Sequence, residues 1–271
     1  MKNLLVLPLI VLILLSCNNN SDVRTTETKD SVQQLLTSIR DSIKKYPNDT
    51  LLKYAFVQTL QDAGMYKEAI SLLDSMNITR GDSANLKNYY GYLFKRAELL
   101  TQTGDTSKAI KTLELFVIPG ELTEAGKELA SLYAETKDPG TLVICDAMIQ
   151  NDASHRDPEP DYFKGAYYYN IGEFDKALQQ FNSCINKDYT FLDAYMEKGR
   201  ILYKQAKYNE AIAVYDLAIK VSNTFADAHY WKGKCQEALG QKEEAKISYQ
   251  RAFAFDKTFT EAKEAAERIK N

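Results

Sequence analysis

Gly165, Gly199 and Gly233 stand 34 residues apart, and the same interval aligns Ala177, Ala211 and Ala245. It also aligns the aromatics Phe181, Tyr215 and Tyr249, and the small residues Cys184, Ala218 and Ala252. Several columns in one register make the chain a repeat, which constrains its fold more than any local motif does. Each 34-residue window holds two segments with apolar residues at helical spacing, separated by a break such as Gly172-Glu173 or Gly240-Gln241. Glycine at such a break takes the left-handed conformation that ends a helix. One hairpin of this kind cannot bury its apolar stripe alone, whereas stacked neighbours can. The prolines beyond the N-terminal apolar run, at 47, 119, 139, 158 and 160, fall at expected helix boundaries. Twelve glycines and six prolines in 271 residues are too few for a sandwich or barrel of many tight turns.

The order of the columns is a small residue, alanine twelve on, an aromatic four further and a small residue three further. This order resembles the tetratricopeptide repeat (TPR), and residues 192–225, LDAYMEKGRILYKQAKYNEAIAVYDLAIKVSNTF, follow that family's consensus almost throughout. The register extends to windows 50–83, 90–123, 124–157, 158–191, 192–225 and 226–259, with an insertion at 84–89. Window 124–157 is degenerate, with Ser131, Asp138, Val143 and Ala147 in the columns. A half-repeat helix at 32–49 is expected to precede the stack, and a charged amphipathic helix at 260–271 to cap it. The resemblance implies an all-α fold, a right-handed α-solenoid of stacked helix-turn-helix hairpins.

The N-terminus reads as an address. One lysine precedes Leu4–Leu15, an apolar run broken only by Pro8 and too short to span a bilayer. It has the length of a signal-peptide core. Leu14-Leu15-Ser16-Cys17 resembles the lipobox of bacterial lipoproteins, which implies removal of 1–16 and lipidation of Cys17. Residues 17–31, nearly devoid of apolar side chains after the cysteine, are expected to form a disordered tether. Asn18, rather than aspartate, follows the cysteine, and no acidic cluster is near it. The expected location is therefore the cell envelope, lipid-anchored at the outer membrane and facing the periplasm.

A formal charge of −3 argues against a general phosphate-backbone binder, so no nucleic-acid partner is expected. There is no Walker A loop, dinucleotide glycine fingerprint, HExxH or GxSxG motif. The chain has two histidines, His155 and His229; Cys145, Cys184 and Cys235 lack CxxC spacing, and the latter two occupy columns where alanine is usual. They read as buried small hydrophobes, and His229 as a packed side chain. No catalytic residue, metal ligand or cofactor is assigned.

What remains is a surface. The resemblance implies that the first helix of each repeat lines a concave groove, and it carries the groove positions onto Tyr162, Tyr169, Met196, Arg200, Tyr203, Lys204, Tyr230 and Lys234. Ala166, Asn170 and Glu237 complete these windows, and Tyr54, Gln58, Phe94 and Glu98 belong to earlier ones. The chaperone-tail-binding branch of the family clamps a carboxylate with lysine and asparagine, where this chain has Tyr54, Gln58 and Phe94. A scaffold or adaptor that binds a protein segment is expected, with a peptidoglycan or glycan fragment as the alternative ligand because tyrosines also stack on sugar rings.

Overall fold

A computed structural model describes residues 21–76, 83–118, 123–154 and 156–269. The signal segment 1–16, Cys17 and His155 lie outside them. The described residues form fourteen α-helices and no strand. They divide into two compact units, one of residues up to Tyr92 plus Gln102–Gly104, the other of Leu93–Thr101 and the chain from Asp105 onward.

In the first unit, α1 (Ser21–Lys45) is followed by α2 (Thr50–Asp62) and α3 (Tyr66–Asp74). Leu36 of α1, Phe56, Val57 and Leu60 of α2, and Ala69 and Leu73 of α3 form its buried side. Asp49 caps α2 by accepting the Leu52 N–H at 2.9 Å, leaving one fewer orphan donor at the helix start. Arg40 and Glu68 join α1 to α3 through a two-pronged ion pair. Residues 21–31, expected in the tether, belong to α1. No glycine or proline interrupts 21–45, so a helix nucleated where Leu36 packs propagates toward the N-terminus at little expense.

Helix α4 (Ser83–Gln102) leads into the second unit, and α5 (Thr106–Glu114), α6 (Glu124–Glu135) and α7 (Gly140–Asn151) follow. Next come α8 (Glu159–Asn170), α9 (Phe174–Lys187), α10 (Leu192–Lys204), α11 (Tyr208–Val221), α12 (Ala226–Ala238), α13 (Lys242–Phe255) and α14 (Thr260–Arg268). Helix α2 packs on α3, and from α6 onward each helix packs on its partner in the hairpin and each hairpin on the next, consistent with an α-solenoid. The repeat columns have a direct physical cause. A Cβ at Gly165 would lie 2.6 Å from the Phe181 ring, and one at Gly233 would lie 2.8 Å from the Tyr249 ring. At Gly199 it would overlap the ring of Tyr215. Each glycine is thus the socket for the aromatic of the second helix, and the flanking columns Ala177, Cys184, Ala211, Ala218, Ala245 and Ala252 are fully buried. Helix α14 closes the stack with Ala262, Ala265, Ala266 and Ile269 buried beside Tyr249.

The hairpin turns repeat as well. The N–H donors of Glu173, Lys207 and Gln241 reach back to the carbonyls of Tyr168, Leu202 and Gln236, each at 2.9 Å, around a residue with positive φ. That residue is Gly172 or Gly240 in two repeats but Ala206, at φ 57°, in the repeat between them. An L side chain there costs about 1–2 kcal/mol, part of which glycine returns through its freer unfolded state. Ala206→Gly is therefore expected to stabilise the chain by up to about 1 kcal/mol, seen as a melting midpoint about 2–4 °C higher.

Window 124–157 departs from the sequence register. Val143, in the alanine column, is 65% exposed, and the buried stripe of α7 runs Thr141, Ile144, Cys145 and Met148. The left-handed residue of this turn is Lys137 (φ 61°), one position earlier than the glycine of the other turns, with Asp138-Pro139 between it and α7 where those turns have a single residue. The displaced turn rotates α7 about its axis, so the 34-residue interval points at the wrong face.

Candidate partner-binding groove

Helices α8, α10 and α12 lie side by side as the first helices of three successive repeats. The eight residues carried onto their surface sort into two layers. Tyr162, Met196 and Tyr230 form the inner one. The Tyr162 ring lies 5.2 Å from that of Phe191 and 5.8 Å from that of Phe181, and Tyr230 lies 4.8 Å from Phe259 and 5.5 Å from Tyr249. Met196 is only 4% exposed. This column locks the first helix against the aromatic that ends the repeat, so Met196 leaves the groove set and Tyr162 and Tyr230 are chiefly packing side chains. Burial pushes the Tyr162 phenol up, with Glu197 and Asp193 adding to the shift.

The outer layer is a cation–aromatic ladder. Lys204 Nζ stands 4.3 Å from the Tyr169 ring centre and 5.9 Å from that of Phe174. One repeat later, Lys234 Nζ stands 4.6 Å from Trp231, 5.6 Å from Tyr203 and 5.8 Å from Tyr230. Arg200 lies 5.4 Å over Trp231, whose ring meets Tyr203 edge-on at 5.6 Å. Each such contact contributes about 0.5–1 kcal/mol at an exposed site and leaves the cation's charge uncompensated. Among the described residues neither Lys204 nor Lys234 has a carboxylate within ion-pair distance. Arg200 does: its Nη1 donates to Glu197 Oε1 at 2.5 Å. The expected three-cation groove therefore holds two unpaired ammoniums and one neutralised guanidinium. Burial raises the Glu197 carboxyl, opposed by Arg200.

Two participants escaped the sequence reading, Trp231 and Glu197. Both occupy the repeat position after the inner column, which the carried-over groove set omits. The signal for Trp231 was its being the chain's single tryptophan, next to Tyr230. The last groove position, Glu237, is bound inward: it accepts the Tyr249 hydroxyl at 2.7 Å and the Arg268 guanidinium at 2.7 and 2.9 Å. Asn170 likewise donates to the Ala134 carbonyl at 3.0 Å.

Carboxylates stand on α4 and α6 of the same unit. Thr101 of α4 donates to Glu128 of α6 at 3.4 Å, and Glu98 pairs with Lys95 at 2.6 Å. Burial raises the Glu128 carboxyl, and the neighbouring Glu135 and Glu98 raise it further. Among the described residues neither Glu128 nor Glu135 has a cation within ion-pair distance.

The buried cysteines and His229 are packed side chains. Cys145, Cys184 and Cys235 are buried free thiols that burial pushes up to about 12, far from the thiolate a nucleophile requires. His229 packs 5.3 Å from the Phe255 ring with Nε2 3.0 Å from the Asn223 carbonyl, and burial lowers its pKa. Among the described residues no three ligating side chains group to hold a metal ion, and no helix is long and apolar enough to cross a membrane.

Family models described as TPR repeat and tetratricopeptide repeat match residues 199–240 and 226–259. Residues 199–259 thus match the tetratricopeptide repeat. Among solved structures it is similar to a tetratricopeptide repeat protein from Parabacteroides merdae ATCC 43184, at 19% identity and a TM-score of 0.64, covering 92% of this chain and 96% of that one. It is also similar to MamA, at 20% identity and a TM-score of 0.49, over 61% of this chain and 96% of that one. The first TPR domain of Spaghetti (RPAP3), bound to the HSP90 peptide SRMEEVD, matches at 21% identity and a TM-score of 0.40, over 42% of this chain and 90% of that one. The first of these likenesses shows the TPR fold. No curated protein matches the sequence. TPR repeats suggest a protein–protein interaction scaffold, and a scaffold of this fold is typically not an enzyme.

Proposed function

We propose that this chain is a non-catalytic scaffold, lipid-anchored through Cys17 at the periplasmic face of the outer membrane, that binds a partner protein in the groove of α8, α10 and α12. The observation that carries the reading is the ladder of Tyr169, Lys204, Tyr203, Trp231 and Lys234. It combines half-buried aromatic area, where interfaces concentrate binding energy, with two ammoniums that rest on aromatic rings rather than in ion pairs. The anchor rests on the Leu14-Leu15-Ser16-Cys17 motif, and an envelope assembly or maintenance role follows from that placement.

The testing experiment is capture from the chain's own envelope. Immobilised residues 18–271 retain interacting material, and mass spectrometry reads both proteins and bound muropeptides. A stoichiometric protein retained by the parent and lost on Lys204→Glu/Lys234→Glu supports the reading. Retention of muropeptides alone would replace the protein partner with a glycan ligand.

A further inference from the structure

Glu197 and Arg200 of α10 pair on the floor of the groove. The Glu197 side chain is 19% exposed and holds the Arg200 guanidinium through Oε1, and that guanidinium lies 5.4 Å over the Trp231 ring of α12. Beside them Tyr215 of α11 is fully enclosed, and its hydroxyl has no partner. One repeat later the equivalent hydroxyl, of Tyr249, donates to Glu237. The Arg200 Nε is also buried without an acceptor. The closed pair thus forms one charge-assisted hydrogen bond and leaves two neighbouring polar atoms unsatisfied, so its advantage over an open arrangement is small. We infer that the Glu197 carboxyl is a proton-operated latch on Arg200: ionised, it holds the guanidinium in a neutral pair, and protonated, it releases a cation into the groove beside Trp231. The latch stands apart from the scaffold reading and needs no docked partner.

Protonation acts on both partners. It removes the charge assistance from the Arg200 hydrogen bond, about half of its strength. It also gives Glu197 a donor, which an ionised carboxylate lacks, and the enclosed Tyr215 oxygen is an acceptor beside it. Arg200, once released, is free to turn its Nε to water. The groups facing Glu197 fix the direction of its titration. Burial raises its pKa, Arg200 opposes the rise, Asp193 adds to it and Lys204 opposes it. Tyr162 of α8 and Tyr215 of α11 are phenols that burial and the Glu197 charge push up, so they stay neutral. Cys184 of α9 adjoins Tyr162, Cys235 of α12 adjoins Tyr215, and both thiols are pushed up to about 12. Lys234 of α12 shares the Trp231 ring, 4.6 Å away. A carboxyl raised in the fold binds its proton more tightly there than in the unfolded chain. Protonation of Glu197 therefore favours the folded state as pH falls through its folded pKa, and the latch opens without unfolding.

Trp231 is the chain's single tryptophan, so its emission reports this site. Indole emission shifts when a cation leaves the ring. Titration of residues 18–271 from about pH 8 to pH 4 is expected to show a step in Trp231 emission with its midpoint above the ordinary glutamate value. His229, two residues from Trp231, also titrates in this range and is retained in every variant as the internal control. Glu197→Gln keeps the shape of the side chain and cannot ionise. It is expected to abolish the step and to show the acid-state emission at every pH. Arg200→Gln is expected to abolish the step as well, because no guanidinium then moves from the ring. Circular dichroism over the same range confirms that each chain stays folded. A step that persists in Glu197→Gln belongs to His229 or another carboxyl and would overturn the latch. Persistence in Arg200→Gln, or no step in the parent, would overturn it equally. The groove reading is untouched by each of these results, since envelope capture tests it separately.

Discussion

Gly199→Leu is expected to unfold the C-terminal repeats at temperatures where the parent is native. The backbone of α10 at residue 199 touches the ring of Tyr215, itself 0% exposed and part of the cluster joining α10, α11 and α12. The ring has no outward path, so a new side chain must push the two helices apart. Alanine at this position is expected to cost about 1–3 kcal/mol, and leucine more, because overpacking a closed contact strains both partners. For a chain of this size that corresponds to a midpoint lowered by roughly 2–12 °C with alanine. Gly91→Ala is the control: nothing lies within 4 Å of its added carbon, and alanine favours the helix. Thermal and denaturant melts that leave Gly199→Leu level with Gly91→Ala would contradict the socket role given to the glycine column.

Cys17→Ala is expected to move the protein from the membrane pellet to the soluble fraction and to abolish acyl labelling. Each buried methylene contributes about 0.8 kcal/mol, so one acyl chain anchors marginally and two or more anchor stably. Among the described residues no helix is long and apolar enough to cross a membrane. The effect is therefore a change of orders of magnitude in partition. Unchanged fractionation together with absent acyl groups would remove the anchor from the account.

The hairpins were legible in the sequence where side-chain size is dictated by backbone contact. Gly165, Gly199 and Gly233 admit no Cβ, and Ala211, Ala218, Ala245 and Ala252 are fully buried small residues, so the period is written in residue identity. Window 124–157 hid its register because the turn at Lys137 comes one residue early and rotates α7, which no column of sizes records. The groove was harder to read for a related reason. Position within a repeat tells which helix face a residue occupies but not how deep it sits, so Met196 passed for a surface residue although Phe225 and its neighbours enclose it. Charge compensation is also a matter of three dimensions. Arg200 is basic in sequence and paired in space, through a Glu197 that the carried-over positions left out. The helical start of α1 at Ser21 was missed because composition reports what a segment can bury, not what an adjoining helix can extend.

Partner binding is expected to use the ladder on α8, α10 and α12. The most direct measurement is the association of the captured partner with the parent chain, Tyr203→Ala and Lys204→Glu/Lys234→Glu across a range of salt concentrations, with circular dichroism confirming that each variant is folded. Tyr203→Ala is expected to weaken binding by about 1–3 kcal/mol, chiefly through faster dissociation. The charge reversal is expected to slow association and flatten its salt dependence. If both variants fold and bind as the parent does at every salt concentration, the groove is not the interface.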